Sequence, residues 1–328
     1  MGLNLSRFSA YGGGSWKERP PSLLDDIKEG SSCWSGNFGV NSEYKRIKHV
    51  VIGDPTLVSI AKANTDPEGY QLLEKVNYVQ LVRQKAKYLK LLSDLGITVS
   101  QIVQVGNNDE IVHPNIIFAR DLFAMTPFGA ILSRPATVVR AGEEKGMLEF
   151  FVEQDIPVIL QIFYGYFEGA DFLWAKPDTV LIDTSSRTNL TAFRLIEGIC
   201  DYAGITTVRV SLDKPGNQHL LGVCNIIDDR LACVRVDKAP PILLSTLKSY
   251  NYKVIELYET DEVKYKQAMN LVCVAPREII MPSDCLATEK LYRDKIEGIK
   301  IHKIDVSEIR KMAGGLACMT GIVHRELV

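Results

Sequence analysis

Short runs of apolar residues alternate with longer amphipathic stretches along most of this chain. The run from His49 to Gly53 is typical of a buried strand, and it ends at a glycine followed by Asp54-Pro55. Between residues 70 and 95, apolar positions recur at helical spacing, which predicts an amphipathic helix. The same pattern predicts further strands near residues 97–105, 116–119, 130–132, 158–161, 172–174, 180–182, 206–211, 222–227, 231–236, 253–257, 271–274, 279–281 and 299–303, and helices near 143–154, 189–203, 241–249 and 286–294.

Pairs of predicted strands separated by one helix recur about every 50 to 60 residues. This period favours radial copies of a strand-strand-helix-strand unit over one doubly wound sheet. A dinucleotide-binding fold is the alternative, yet no Gly-x-Gly-x-x-Gly follows the first strand, and the glycine run 12–14 lies in the N-terminal arm. No P-loop motif occurs either. The pattern therefore predicts an α/β protein built from repeated units.

The first 44 residues differ in composition from the rest of the chain. They are rich in Gly, Ser, Pro and Trp, which argues against regular structure and predicts an arm that is partly mobile. Within this arm, the aromatic and glycine residues of 34–41 suit either a loop that covers a pocket or a surface loop pinned by one aromatic side chain. Residues 45–328 are long enough for one large domain, and we expect a single catalytic α/β domain there.

Composition narrows the partners and the compartment. The 328 residues carry a net charge of −2 and a pI near 6.3, so nucleic acid and anionic membrane surfaces are not expected partners. The N-terminus lacks a signal-peptide pattern, and no window approaches the roughly 18 apolar residues of a membrane span. Seven cysteines without a Cys-x-x-Cys pair favour neither a disulfide framework nor a zinc site. We therefore predict a cytoplasmic protein.

Most cysteines lie in apolar stretches, but one does not fit that description. Cys200, Cys224, Cys233 and Cys273 are expected to be buried small hydrophobic residues. Cys318 instead follows the pair Gly314-Gly315, which permits close backbone approach. A reactive thiol needs a base or a cationic neighbour, and a histidine base needs a carboxylate to orient it. The chain contains all three kinds of residue, and only folding can bring them together.

Five short motifs occur in an order that is known from one enzyme superfamily. They are Phe118-Ala119-Arg120-Asp121, Glu168-Gly169-Ala170-Asp171, Ser185-Ser186-Arg187-Thr188-Asn189, His219 and Cys318. As a set they resemble the guanidine-modifying superfamily, which comprises arginine deiminases, dimethylarginine dimethylaminohydrolases and amidinotransferases. The resemblance extends over residues 35–328. It implies a five-bladed α/β propeller, the pentein fold, with the active site at the hub.

The resemblance also implies catalytic roles. Cys318 would attack the guanidinium carbon and form a covalent thiouronium adduct. His219 would protonate the departing amine and then activate water or an amine, and Glu168 would orient His219. Asp121 would bind the guanidinium through paired hydrogen bonds, because a planar set of N–H donors matches a carboxylate.

Further residues are candidates for binding the rest of the substrate. By resemblance, Arg187 captures the α-carboxylate of an arginine-like amino acid. Arg134 or Arg140 could supply a second such contact, and the alternative for both is a solvated surface arginine. Asp171 is expected either at the substrate or in a structural role, bonded to backbone or to Arg120.

Single positions do not agree on one member of the superfamily. Arg120 is typical of deiminases and amidinotransferases, whereas the non-acidic Leu221, two places after the histidine, is similar to dimethylarginine hydrolases. Cys318-Met319-Thr320 is similar to the deiminases.

The resulting prediction is a hydrolase that acts on the guanidino group of arginine or a substituted arginine without a metal or organic cofactor. Its partner would be a small guanidino substrate, and a homodimer is left open. The main alternative is an amidinotransferase. A non-catalytic propeller that only binds ligands is a third interpretation.

Overall fold

The computed structural model describes residues 4–17, 19, 23–28, 34–103 and 113–328. The chain separates into two compact units, Met1–Gly36 and Asn37–Val328. In the first unit, two short 3-10 turns, Leu5–Arg7 and Ser9–Tyr11, precede helix α1 (Leu23–Lys28). Part of the predicted mobile arm lies outside the described residues, and the domain boundary proposed at residue 44 stays a prediction.

The described residues of the second unit form five three-stranded sheets, the blades of an α/β propeller. In every blade one neighbouring pair of strands is antiparallel and the other is parallel. The C-terminal strand completes the first blade, so the two ends of the unit are joined in one sheet. The strands are β1 (Ile47–Asp54), β2 (Thr98–Val103), β3 (Phe123–Thr126), β4 (Gly129–Leu132), β5 (Val158–Gln161), β6 (Phe172–Lys176), β7 (Thr179–Asp183), β8 (Thr206–Val210), β9 (Cys224–Asp228), β10 (Leu231–Arg235), β11 (Lys253–Leu257), β12 (Val272–Ala275), β13 (Glu278–Pro282), β14 (Lys300–Ile304) and β15 (Gly321–Arg325).

The blades are apolar at the hub and mixed at the rim. The innermost strands β3, β6, β9, β12 and β15 are almost wholly buried, whereas most positions of β2, β5, β8, β11 and β14 are partly or fully exposed. A strand that is covered on both faces can be apolar throughout, while a strand with one wet face cannot. This gradient explains why the predicted strands came in runs of such different composition.

Helices on the outside of the blades connect the second strand of a repeat to the third. The four that were predicted within a few residues are α4 (Glu144–Glu153), α5 (Leu190–Tyr202), α6 (Pro241–Ser249) and α8 (Leu286–Lys295). In the first blade this connection holds α2 (Leu57–Ala63) and α3 (Tyr78–Asp94), whereas the short helices α7 (Asp261–Lys264), α9 (Ser307–Arg310) and α10 (Leu316–Met319) lie in the connections from one blade to the next. The repeated unit and the five-bladed propeller that the resemblance implied are confirmed.

Two predicted elements were wrong in place or type. The helix expected from residue 70 begins at Tyr78, because the Asn77 side chain accepts a hydrogen bond from the Gln80 amide (3.1 Å) and caps it. The strand expected at 116–119 consists of two 3-10 turns, Pro114–Ile117 and Ala119–Leu122. An apolar run of that length is buried in either conformation, so its hydrophobicity could not distinguish the two.

The segment 37–41 is built into the first blade. Phe38 and Val40 are buried, and Gly39 exchanges backbone hydrogen bonds with Val323 (3.0 Å) and Arg325 (3.0 Å) of β15. The pocket-covering role that was one interpretation of 34–41 stays a prediction. Among the described helices, none has both the length and the apolar character needed to cross a membrane.

Candidate active site

Each of the five innermost strands is preceded by a short turn, and these turns carry the candidate residues. Asp121 lies in the turn before β3, Glu168 before β6, His219 before β9 and Cys318 in α10 before β15. The corresponding position of the fifth blade, before β12, holds Asn270. Because the blades are repeats around one hub, the turns that enter their inner strands meet at one end of it.

His219 and Glu168 form a buried pair, with imidazole Nε2 2.7 Å from carboxylate Oε2. Burial alone would lower the pKa of His219, but the charge of Asp121, the bond to Glu168 and the charge of Asp171 raise it to about 9. Burial alone would raise the pKa of Glu168, but the hydrogen bond and the charge of His219 hold it well below its usual range. Near neutral pH the pair is therefore an imidazolium on a carboxylate, with a proton to donate.

Asp121 is buried beside this pair, and only one of its two carboxylate oxygens has a hydrogen-bond partner among the described residues. Its Oδ2 accepts a hydrogen bond from Nη1 of Arg140 (2.6 Å). Its Oδ1 lies 3.9 Å from Nε2 of His219 and has no hydrogen-bond partner among the described residues. Leaving a buried carboxylate oxygen unpaired is unfavourable, so this atom is a candidate contact for a cationic ligand.

Arg140 is buried and engaged by carboxylates. Besides Asp121, its Nε donates to Glu143 (2.9 Å), and its Nη1 lies 3.8 Å from Oε2 of Glu168. Burial alone would lower the pKa of Arg140, but these three negative charges raise it. The interpretation of Arg140 as a solvated surface arginine is wrong. Because its guanidinium is already occupied, we propose that it positions Asp121 rather than contacting the substrate carboxylate.

Arg187 and Asp171 lie on the other side of Glu168. Nη1 of Arg187 is 3.5 Å from Oε1 of Glu168, and its side chain is partly exposed. Asp171 accepts hydrogen bonds from the Thr188 hydroxyl (2.7 Å) and from the Leu220 amide (3.1 Å), so it joins the loop of Arg187 to the loop of His219. Burial raises the pKa of Asp171 to about 8. These contacts support the structural interpretation of Asp171, through backbone and not through Arg120.

Arg120 and Arg134 lie apart from the histidine pair. The guanidinium of Arg120 is 3.3 Å from Glu43, which also accepts a hydrogen bond from the Trp174 amide (3.2 Å). Arg134 is exposed and donates to the carbonyl oxygen of Gly165 (2.6 Å). We propose a structural role for Arg120, and Arg134 stays a candidate at the rim of the site.

Cys318 is partly exposed, whereas the other described cysteines are buried. That burial confirms the prediction for Cys200, Cys224, Cys233 and Cys273. Nδ2 of Asn270 donates a hydrogen bond to Sγ of Cys318 (3.0 Å). Burial of the sulfur and the negative charge of Asp121 raise the pKa of Cys318 to about 11, although the bonds from Asn270 and the Gly315 backbone act in the opposite direction. The thiol is therefore protonated near neutral pH until a cation approaches.

The glycine pair is required by close packing around this turn. A Cβ atom on Gly314 would lie 2.3 Å from the Phe118 ring, and one on Gly315 would lie 2.7 Å from Cγ of Asn270. Both distances are far below a normal contact, so neither position can hold a larger residue without a shift of its neighbours. The expectation of close approach at Gly314-Gly315 is thus met by named partners.

A cavity of about 200 Å³ opens beside the thiol and the imidazole. Cys318, His219 and Asn270 all line it, and Leu221 forms an apolar part of its wall. Three cationic side chains, Arg235, Lys238 and Lys264, line it as well, and Arg235 is paired with Glu259 (2.7 Å). The cavity is large enough for a small amino acid, and its charged residues were not anticipated from the sequence.

Asp121, Glu168 and His219 could also be considered as metal ligands. One oxygen or nitrogen atom of each lies within 4.8 Å of the others, and no other such group occurs in the part of the chain that the structure describes. A divalent ion there would lie against the Arg140 guanidinium, which already bonds Asp121. The arrangement suits a hydrogen-bonding organic cation better than a second point charge.

Sequence reasoning missed Asn270 and Glu143. Asn270 stands in no recognisable motif, but the repeat offers a signal, since each other inner strand is preceded by a candidate residue. Glu143 lies at the start of a helix, where an acidic residue is ordinary. Only the structure shows that it is buried against Arg140.

Known proteins share both the fold and part of the sequence. A family profile described as arginine deiminase matches residues 227–325. The dimethylarginine dimethylaminohydrolase of Pseudomonas aeruginosa is 26% identical over 278 residues, which are 83% of this chain and 98% of that protein. An uncharacterized protein, YkgA, of Bacillus subtilis is 25% identical over 281 residues, 85% of this chain and 92% of that protein.

A solved structure extends the comparison to the fold. The N-terminal domain of a cyanobacterial arginine dihydrolase, bound to product, superimposes with a TM-score of 0.71 at 18% identity, over 85% of this chain and 98% of that one. The propeller, the ordered turns at its hub and these matches agree with the motif resemblance. The findings therefore support the guanidine-modifying superfamily that the motifs resemble.

Proposed function

We propose that this protein hydrolyses the guanidino group of arginine or a substituted arginine and releases citrulline with ammonia or an amine. One observation carries the proposal: a protonated histidine-carboxylate pair lies beside a buried, unpartnered oxygen of Asp121, and the histidine shares a cavity with a thiol. The relatives named as dimethylarginine dimethylaminohydrolase and arginine deiminase support hydrolysis of a guanidino C–N bond.

Substrate binding would also activate the nucleophile. The Asp121 charge is one cause of the raised pKa of the Cys318 thiol. A guanidinium bound to Oδ1 of Asp121 neutralises that charge and brings a positive charge next to the sulfur. Both changes favour the thiolate. The enzyme therefore needs no cationic side chain beside Cys318, because the substrate is itself the cation.

The chemical steps follow from the protonation states. The Cys318 thiolate attacks the guanidinium carbon, and His219 donates its proton to the departing nitrogen as the C–N bond breaks. The products are a covalent thiouronium adduct, the released amine and a neutral His219. The imidazole then takes one proton from the water that attacks the same carbon. The remaining hydroxyl proton leaves to solvent as the C=O bond forms and the C–S bond breaks, which gives citrulline, the thiolate and a protonated His219.

Two features bear on the identity of the substrate. Arg187 is partly exposed beside Glu168, where it could hold an α-carboxylate as a charge-assisted pair. Leu221 lines the cavity where an acid would bind a second guanidinium nitrogen, so a substituent on that nitrogen would meet an apolar wall. We therefore expect an amino acid substrate, with substituents on the guanidine tolerated.

The test is incubation with arginine, N-methylated arginines and agmatine, with products identified by mass spectrometry. Citrulline formation that disappears in Cys318→Ala supports the proposal. Parallel reactions contain glycine or ornithine as amine acceptors. A new guanidino compound without citrulline would overturn hydrolysis in favour of amidino transfer. Unchanged substrates in every reaction would favour a propeller that only binds its ligand.

A further inference from the structure

Asn270 is the candidate residue of the fifth blade, and no motif or comparison gives it a role. Only Leu271 separates it from β12, and the turn that holds it is closed by a backbone hydrogen bond from its own N–H to the carbonyl oxygen of Gln267 (2.8 Å). The side chain reaches across to the last blade, where it meets the turn of Cys318.

The orientation of the Asn270 amide is determined by its partners. Oδ1 accepts hydrogen bonds from the backbone N–H groups of Ala317 (2.7 Å) and Cys318 (3.4 Å). Because both backbone groups are donors, the atom that faces them must be the amide oxygen. The NH₂ group must therefore face the sulfur, from which it lies 3.0 Å away.

We propose that Asn270 is a further catalytic residue, which stabilises the Cys318 sulfur as an anion through one amide N–H and holds the turn that carries it through its oxygen. This inference rests on the proposed function, because it assumes that Cys318 is the nucleophile. An N–H donor favours a thiolate over a thiol, since only the anion is a strong acceptor. The same bond stabilises the sulfur when it leaves the thiouronium carbon.

The surrounding residues maintain this contact. Gly315 packs so closely on Asn270 that its Cβ would overlap the amide carbon at 2.7 Å. The second N–H of the amide is directed to Oε1 of Gln267 at 3.5 Å, so the group has little freedom to turn away. A methyl group on Gly315 should thus displace the amide without altering its chemistry.

The decisive experiment measures the thiol without substrate. Full-length parent, Asn270→Asp and Asn270→Ala are alkylated with iodoacetamide between pH 7 and 10.5, and the rate at the Cys318 peptide is followed by mass spectrometry. Asn270→Asp keeps an acceptor for the Ala317 amide and replaces the N–H donor with an anion. We expect its rate at a given pH to fall about tenfold, a shift of about one pH unit, with a smaller fall in Asn270→Ala.

Gly315→Ala and Asn64→Ala complete the set. Gly315→Ala should shift the alkylation profile in the same direction as Asn270→Ala, and it keeps the test valid if the Asn270 variants do not fold. Asn64 is a matched control, because its amide also makes two bonds, both to Val76 (2.8 Å each), away from the cavity. Its loss should lower thermal stability and leave the profile of Cys318 unchanged.

The outcomes separate this inference from the proposed function. Unchanged alkylation profiles in folded Asn270→Asp and Gly315→Ala would overturn it, even if citrulline is formed. A shifted profile supports it even if arginine is not a substrate. With an active substrate in hand, kcat should fall in Asn270→Asp while KM changes little, because the contact is to the sulfur and not to the substrate.

Discussion

The acid-base side of the site and the thiol side are built on opposite principles. On the acid-base side, His219, Glu168, Asp121 and Arg140 are buried charges that compensate one another. On the thiol side, Cys318 is neutral and is contacted by one amide and by backbone. In the proposed mechanism, the first side holds the proton that a leaving amine requires, and the second becomes ionised only when the substrate cation binds. Reactivity would thereby be coupled to substrate binding.

The buried cysteines show what the thiol side would be without Asn270. Burial raises the pKa of Cys273 to about 12. Its thiol donates to the carbonyl oxygens of Ile227 (3.5 Å) and Ala275 (3.2 Å), and the charges of Glu43 and Asp228 also raise its pKa. At Cys318 the neighbour is a donor instead. The two thiols differ in what surrounds the sulfur more than in burial.

The largest effect is expected from removal of the sulfur. Cys318→Ala should reduce citrulline formation by at least about 1,000-fold, because the covalent path is closed. Circular dichroism should show an unchanged fold. Cys273→Ala is the matched control and should keep turnover while losing about 1 kcal/mol of stability from a small cavity. Turnover that persists in Cys318→Ala would remove the thiol side from the mechanism.

Removal of the imidazole should be the next largest effect. His219→Ala should reduce turnover by about 10² to 10⁴-fold, the usual contribution of a general acid or base. Intact-protein mass spectrometry after mixing with substrate should detect adduct that is not hydrolysed. His302→Ala is the control, since His302 makes a similar bond to Glu278 (2.8 Å) outside the site. Equal effects of the two substitutions would contradict a role for His219 in proton transfer.

Loss of Arg187 should affect binding more than chemistry. Arg187→Ala should raise KM for arginine about tenfold or more, as expected for a lost charge-assisted bond. Agmatine, which has no carboxylate, should be affected much less. Arg194, an exposed arginine paired with Glu197 (3.1 Å), provides a control whose substitution should change neither value. Equal increases for both substrates would remove the argument for an amino acid substrate.

The smallest effect concerns stability and its dependence on pH. Because the pKa of His219 is raised to about 9 in the folded state, its stabilising contribution is fully present below its unfolded pKa of about 6.5 and is lost as pH rises through about 9. Urea unfolding of the parent and of His219→Gln at pH 6, 8 and 10 should show a difference in unfolding free energy that shrinks with pH. A difference that grows with pH would mean that His219 is neutral in the folded protein.

Helices and strands could be predicted from the sequence where the spacing of apolar residues matched the buried positions of the fold. Strands such as β5 and β11 and helix α6 were found within the expected bounds, since short apolar runs between polar segments mark them. The turns before the inner strands were harder. Residues 116–119 are apolar, but their backbone folds into 3-10 turns that aim Asp121 inward, and composition does not encode that direction.

Some residues of the site could be predicted from the sequence, and others could not. Cys318, His219, Glu168 and Asp121 were identified from motifs whose order the chain preserves, and the structure brings His219, Glu168 and Asp121 together. Their catalytic roles stay predictions. The environment of Arg140 and the contact of Asn270 could not be foreseen, because both depend on which side chains from other blades face them.

By itself, the sequence determined the repeated α/β unit, the resemblance to one superfamily and the residue types available for thiol chemistry, because these depend on local pattern and on motif order. Only the tertiary structure decided which of those residues carry charge, which are satisfied and which face the cavity. The reason is physical: pKa, desolvation and hydrogen bonding at the hub arise from groups that five separate blades bring together, and no single stretch of sequence contains all of them.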